Sequence, residues 1–192
     1  MNSRIVKSFV GFAALCLLVS AGQPAVAEES WQDLNQQAKQ AKIDAEAQAS
    51  LDEVLAKNEK AAALLEGAYG WAAFDNLKIA LGFSGGGGNG VAVNKSTGAR
   101  TYMKMGTAGV GFGIGGQKYQ VVFLFQDEKT FNNFVEKGWK ADASAQAAAG
   151  TEGANATTGF VNGIAVYQLT DKGLMASADI TGTKYWKDDE LN

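Results

Sequence analysis

The chain has 192 residues with 24 glycines, one cysteine, one proline and no histidine, and its 17 basic and 20 acidic residues leave a formal net charge of −3. Lacking histidine, it has no imidazole base, no Cys–His or Ser–His–Asp nucleophile and no zinc site of the Cys/His kind. The acidic balance also argues against nucleic acid as a partner.

Residues 1–27 read as a secretory signal peptide. Arg4 and Lys7 form a short positive region, 9–19 are apolar, and Ala25-Val26-Ala27 follows Pro24 as a small-x-small cleavage site. Cleavage is expected between Ala27 and Glu28, giving a periplasmic or secreted protein. Leu15 precedes Cys16 inside the apolar run, which argues against a lipoprotein signal. The remaining chain contains no cysteine or proline, so it forms no disulfide although export would permit one.

Residues 28–66 carry nine acids and four bases and read as a helical N-terminal segment rich in Ala, Gln, Glu and Lys. Ser50-Leu51-Asp52-Glu53 has the capping-box spacing, which predicts a helix over 31–49 and a fresh one over 51–66. The first has only Trp31, Leu34 and Ile43 as large apolar residues, so it should dock loosely or fray. The second has Leu51, Val54, Leu55, Ala62 and Leu65 on one stripe, which should pack on the core, and Gly67 supplies the stop.

From residue 67 the chain turns to glycine, β-branched and aromatic residues, with one acid (Asp75) against five bases over 67–126. Segments 68–74 and 77–83 read as strands. Residues 91–93 and 100–105 read as a hairpin turning at 94–98. KYQVVFLF (118–125) reads as a central buried strand. Residues 127–138 return to helix, with Asp127 as N-cap, Phe131, Phe134 and Val135 on one face, and Gly138 as the stop. The small-residue stretch that follows leans to a strand at 141–149. Strands on either side of 170–173 form a further hairpin, the second of them running to Trp186, and the acidic tail 188–192 should fray. Helices first and then many strands with one interrupting helix define an α+β fold: N-terminal helices packed on a mainly antiparallel, Gly-rich sheet or small barrel, over 67–187.

GVGFGIGG (109–116) contains the G-x-G-x-x-G spacing of a dinucleotide-binding loop. That loop needs a helix directly after it, and here a strand follows. Gly109, Gly111, Gly113 and Gly115 instead recur at every second position, which makes a strand with one bare face. Such a face admits close packing of another backbone, or a ligand such as an acyl chain. Residues 82–90 read as either a flexible turn or another bare, sharply bent strand. Asp142 and Asp179 stand out among the carboxylates for their small or apolar, strand-like surroundings; Asp179 falls on the face with Ser177 and Thr181 and, if that face is solvated, reads as an ordinary surface acid, and no EF-hand spacing is present. Trp71, Trp139 and Trp186 are either core or an interfacial aromatic set. No metal or cofactor motif emerges.

Taken in order, LLEGAYGWAAFDNLK, GFSGGGGNGVAVNKSTG, GVGFGIGGQKYQVVFLF, FVEKGWKADASAQAAAG and DKGLMASADITGTKY resemble the SYLF domain, also called the Ysc84-type family. The likeness runs from about Ala61 to Lys184; Gly115-Gly116-Gln117, Lys137-Gly138-Trp139 and Gly173-Leu174-Met175-Ala176 are its most specific pieces. Phe74-Asp75 stands where the family usually has Phe-Pro. The resemblance implies a non-enzymatic module. Eukaryotic members associate with phosphoinositide-containing membranes, through an amphipathic N-terminal helix, and with actin. The N-terminal helices here are acidic and alanine-rich and lack a basic face for anionic lipid. The expected partner is therefore a lipid or membrane surface met by the basic middle, with Lys78, Lys95, Arg100, Lys104 and Lys118 as headgroup contacts. The alternative is an envelope structural or protein-interaction module without a lipid ligand.

Overall fold

Two strands carry most of the sheet: β1 (Gly70–Asn94) has 25 residues and β2 (Arg100–Phe125) has 26. The computed structural model describes residues 31–141, 159–170, 173–175 and 182–192. The strands pair antiparallel along their whole length. The turn between them falls where the sequence places it: Asn94 Oδ1 accepts from the N–H groups of Ser96 and Thr97, and Gly98 takes a positive φ of 71°. A straight strand of this length would run about 80 Å, far more than a small domain spans, so the ribbon has to curl.

It bends where the register shifts. Leu81 pairs with Ile114 and Phe83 with Val110, so Gly82 faces the longer stretch 111–113 of β2. Extra residues on one strand bend the pair and raise its twist. The two halves of the ribbon then take different neighbours. β2 pairs with β6 (Thr183–Lys187) through 103–107 and with β4 (Ile164–Thr170) through 119–125. β3 (Trp139–Lys140) extends the sheet beyond β6, and β5 (Gly173–Met175) beyond β4. Every one of these pairings is antiparallel. The result is the α+β fold with a curled, mainly antiparallel sheet.

Period-two alternation divides the core. Phe74, Met103, Val121, Phe123, Phe125 and Tyr185 point into the curl and meet Phe131 and Phe134 of α3 (Glu128–Lys137). The rings interlock, with Phe74 and Tyr185 centroids 4.7 Å apart and Phe125 and Phe134 4.8 Å apart. Trp71, Ala73, Val122, Leu124 and Tyr167 point outward beneath α1 (Trp31–Lys57) and α2 (Glu59–Gly67). The stretch 121–125 (VVFLF) of KYQVVFLF is covered on both faces, which is why that run is apolar without interruption. α3 starts and stops as read: Asp127 Oδ1 accepts from the Thr130 N–H at 2.8 Å, and Gly138 has φ 69°.

The helical segment differs from its reading. One helix runs from Trp31 to Lys57, and the break falls at Asn58, whose side chain caps α2 by accepting from the Ala61 N–H. Ser50 lies inside α1, where its hydroxyl donates to the Glu46 carbonyl one turn back. Ser50 and Leu51 are buried against the sheet, and that packing outweighs the local capping signal. No residue of α1 before Ile43 is buried, and Trp31 and Leu34 stand exposed.

The tail is the second correction. It does not fray: Leu191 is buried, and the Asn192 side chain accepts from the Tyr102 N–H and donates to the Tyr102 carbonyl. A side-chain amide here completes the edge of β2 as another strand would. Of the strand expected to run from 173 to Trp186, residues 176–181 lie outside the described residues; Gly173–Met175 pairs with β4 as β5, and Thr183–Lys187 pairs with β2 and β3 as β6. The strand read at 141–149, Asp142 and Asp179 lie at or beyond the edge of the described residues, which include Ala141 alone of these.

Candidate functional site

Among the cations read as headgroup contacts, three hold the fold together. Lys95 lies just past the end of β1 and donates to the carbonyls of Leu65 and Glu66, 2.6 Å each, in the last turn of α2. A cation there satisfies orphan carbonyls and complements the helix dipole. Arg100 Nε lies 3.3 Å from Asp44 Oδ1 of α1, and the Tyr102 hydroxyl donates to Asp44 Oδ2. Burial, reinforced by the neighbouring Asp44 charge, pushes the Tyr102 phenol up. Lys104 Nζ lies 2.9 Å from Asp188 and 3.2 Å from Glu190. Its hydrogen bonds to those two carboxylates, Asp188 first, raise its pKa.

Lys78 and Lys118 occupy the adjacent strands near the bend. Lys78 pairs in register with Gln117 and is half-buried; Lys118 pairs with Leu77 and is exposed, with no ion pair among the described residues. Cross-strand partners share a face, so Lys118 stands beside Leu77 on the outer side of the sheet. Ile79 follows two residues on, on that same face. Leu77 is 44% and Ile79 49% exposed, unusual for large aliphatic side chains in a sheet. On β6, Trp186 is also exposed; its ring lies over Gly106, with the Lys184 ammonium 5.9 Å from the ring centroid.

The glycines divide by role. Gly86, Gly88 and Gly90 face the first half of their own strand: a Cβ on Gly86 would stand 2.5 Å from the Leu77 carbonyl oxygen, and one on Gly88 or Gly90 would overlap the carbonyls of Asp75 and Ala73. The curled ribbon therefore closes on itself along a glycine seam, carbonyl against Cα. Residues 109–116 lie wholly within β2 and run straight on as strand, so no helix N-terminus follows the G-x-G-x-x-G spacing. Gly111 and Gly113 fall in the register shift that bends the ribbon. Gly109 has Ser84 Oγ 3.2 Å from a would-be Cβ, whereas the site above Gly115 is open.

Sequence reading missed Leu77, Ile79 and the seam. The signal was present in the alternation of Leu77-Lys78-Ile79 and of Gly86, Gly88 and Gly90. Without the register of β1 on β2, nothing said which face each set occupied.

These features define a small α+β module with a curled sheet, two helices on its outer face and one inside the curl, and an exposed apolar strip beside a lysine. Residues 106–192 match the family described as "Ysc84: Las17-binding protein actin regulator", the Ysc84 (SYLF) family that the motifs led one to expect. It is also 44% identical over 156 residues to "Beta cell expansion factor A" of Aeromonas veronii, a similarity covering 80% of this chain and 60% of that protein. The chain thus spans about three fifths of that relative's length.

Proposed function

We propose that this chain is an exported, non-enzymatic module that binds lipid at a membrane surface of the cell envelope. The observation that carries the reading is the exposed pair Leu77 and Ile79 with Lys118 directly across the ladder. Aliphatic side chains exposed beside a cation suit the boundary between acyl chains and headgroups, and the exposed Trp186 with Lys184 repeats that combination on β6. The actin link in the family's description is not carried over, because the signal peptide directs the chain out of the cytoplasm.

A second reading, an envelope structural or protein-interaction module, is favoured by one specific fact. Lys95, Arg100 and Lys104 are engaged inside the molecule, which thins the cationic surface available to lipid. Co-sedimentation of the chain from Glu28 onward with anionic and neutral vesicles at low salt separates the two. Pelleting with anionic vesicles supports the first; no pelleting with either overturns it.

A further inference from the structure

A cleft of about 310 Å³ opens between α1 and the corner where the two halves of β1 meet. Lys39, Lys42 and Glu46 line one wall from a single stripe of α1. Asp75 and Asn89, from opposite halves of β1, line the other, and Lys104 with the tail closes the end. Most of these charges are already matched. Lys104 is spent on Asp188 and Glu190. Lys42 and Glu46 pair loosely at 3.7 Å in solvent.

Two charges of opposite sign in the lining are left without an ion pair among the described residues. Lys39 has no ion pair among the described residues, and Asp75 accepts one long hydrogen bond, 3.3 Å, from Gln120. Asn89 adds an amide with no hydrogen bond of its own among the described residues. An anion alone would meet the carboxylates of Asp75, Glu46 and Glu190; a cation alone would meet three lysines. A ligand carrying both charges satisfies both walls. The outer face continues from Asp75 directly to the exposed Leu77 and Ile79, two and four residues along β1. A polar cleft leading to an apolar strip is the outline of an amphiphile.

We propose that this cleft binds a zwitterionic phosphoethanolamine-type group, its anion toward Lys39 and Lys42 and its ammonium toward Asp75. The proposal rests on the lipid reading above only for the source of that group. The same chemistry could come from a phospholipid headgroup or from a free solute.

The test titrates the chain from Glu28 onward with soluble glycerophosphoethanolamine by calorimetry, and separately with anionic vesicles made with and without phosphatidylethanolamine. The expected result is saturable solute binding, weakened about five- to tenfold by K39Q and by D75N, the loss of one charge-assisted contact each. Phosphatidylethanolamine should also strengthen vesicle binding in the unmodified chain and not in either variant. Lys39 is exposed and outside the buried core, so K39Q remains informative if D75N folds poorly. No saturable solute binding, or equal binding by K39Q, overturns the cleft; pelleting with anionic vesicles in that case leaves the lipid reading standing. Solute binding with no vesicle pelleting supports the cleft as a site for a free zwitterion and overturns the lipid reading instead.

Discussion

Gly88 lies directly against the backbone of Asp75, so closely that a Cβ on the glycine would overlap the Asp75 carbonyl oxygen. The buried Asn76 side-chain oxygen stands in the way as well, but the Asp75 carbonyl is backbone and cannot swing aside. Gly88→Ala must therefore shift one half of β1 relative to the other, at a cost of about 2–3 kcal/mol or more. Gly85, three residues earlier, has nothing within 4 Å of its would-be Cβ, so Gly85→Ala should be neutral or slightly stabilising. Urea unfolding of both variants checks the contrast. Equal effects would mean that the seam is not what closes the ribbon.

Lys95 should matter to stability rather than to lipid. Its ammonium caps the last turn of α2 from an exposed position, and such a contact is worth about 0.5–1 kcal/mol. Lys95→Met should lower the unfolding free energy by that amount, read as a lower urea midpoint at unchanged slope, and leave vesicle binding within about twofold of the unmodified chain. A loss of vesicle binding without loss of stability would return Lys95 to the lipid surface.

How far the fold was legible follows from which signals are local. Asp127, Gly138 and the Asn94–Gly98 turn were readable because caps and turns are set by a few adjacent residues. The strand through KYQVVFLF was readable because burial of 121–125 on both faces leaves an unbroken apolar run there. The break at Asn58 was not, because Ser50 offers an equally good local cap and only the burial of Ser50 and Leu51 against the sheet decides between them. The tail was misread for a similar reason: Asn192 is polar and terminal, yet it is fixed by Tyr102, 90 positions away in sequence. The proposed binding surface was half legible. Lys118 could be picked out by charge, but Leu77 and Ile79 resembled ordinary strand residues until the register placed them outside.

Stability should be flat across a wide pH range, since no group titrates near neutrality by way of histidine. On the alkaline side, burial raises Tyr102, takes Tyr167 to about 12 and pushes Tyr185 well above the usual phenol range; hydrogen bonds to Asp188 and Glu190 raise Lys104. Each group holds its proton more tightly folded than unfolded. Their contribution is complete below the unfolded values of 10.0 for tyrosine and 10.5 for lysine, and is lost as pH rises through the folded values. On the acid side, the Thr130 N–H holds Asp127 below its unfolded 3.8, so that contribution is present above 3.8 and lost as pH falls below it. Thermal melts across pH should show a plateau between these limits, with tyrosinate absorbance rising in step with unfolding at the alkaline edge. Tyrosinate appearing well before unfolding would show that the phenols are not protected by the fold.

The exposed strip gives the most direct test of the surface role. Leu77 and Ile79 are about half exposed, so each has roughly 1 kcal/mol of apolar transfer still to gain on meeting acyl chains. Replacing both by serine should weaken vesicle binding by about tenfold or more and cost the fold little, because neither side chain belongs to the buried core. Lys118→Glu places an acid on the same face and should reduce binding to anionic vesicles while sparing neutral ones, with the difference shrinking as salt rises. Lys104→Glu would instead set a third acid beside Asp188 and Glu190, so its effect should appear in the melting temperature, as release of the tail. Vesicle binding measured for the three variants beside their melting temperatures separates these outcomes. Undiminished binding by the Leu77/Ile79 double variant would exclude this face of β1 as the contact surface, whatever the behaviour of the lysines.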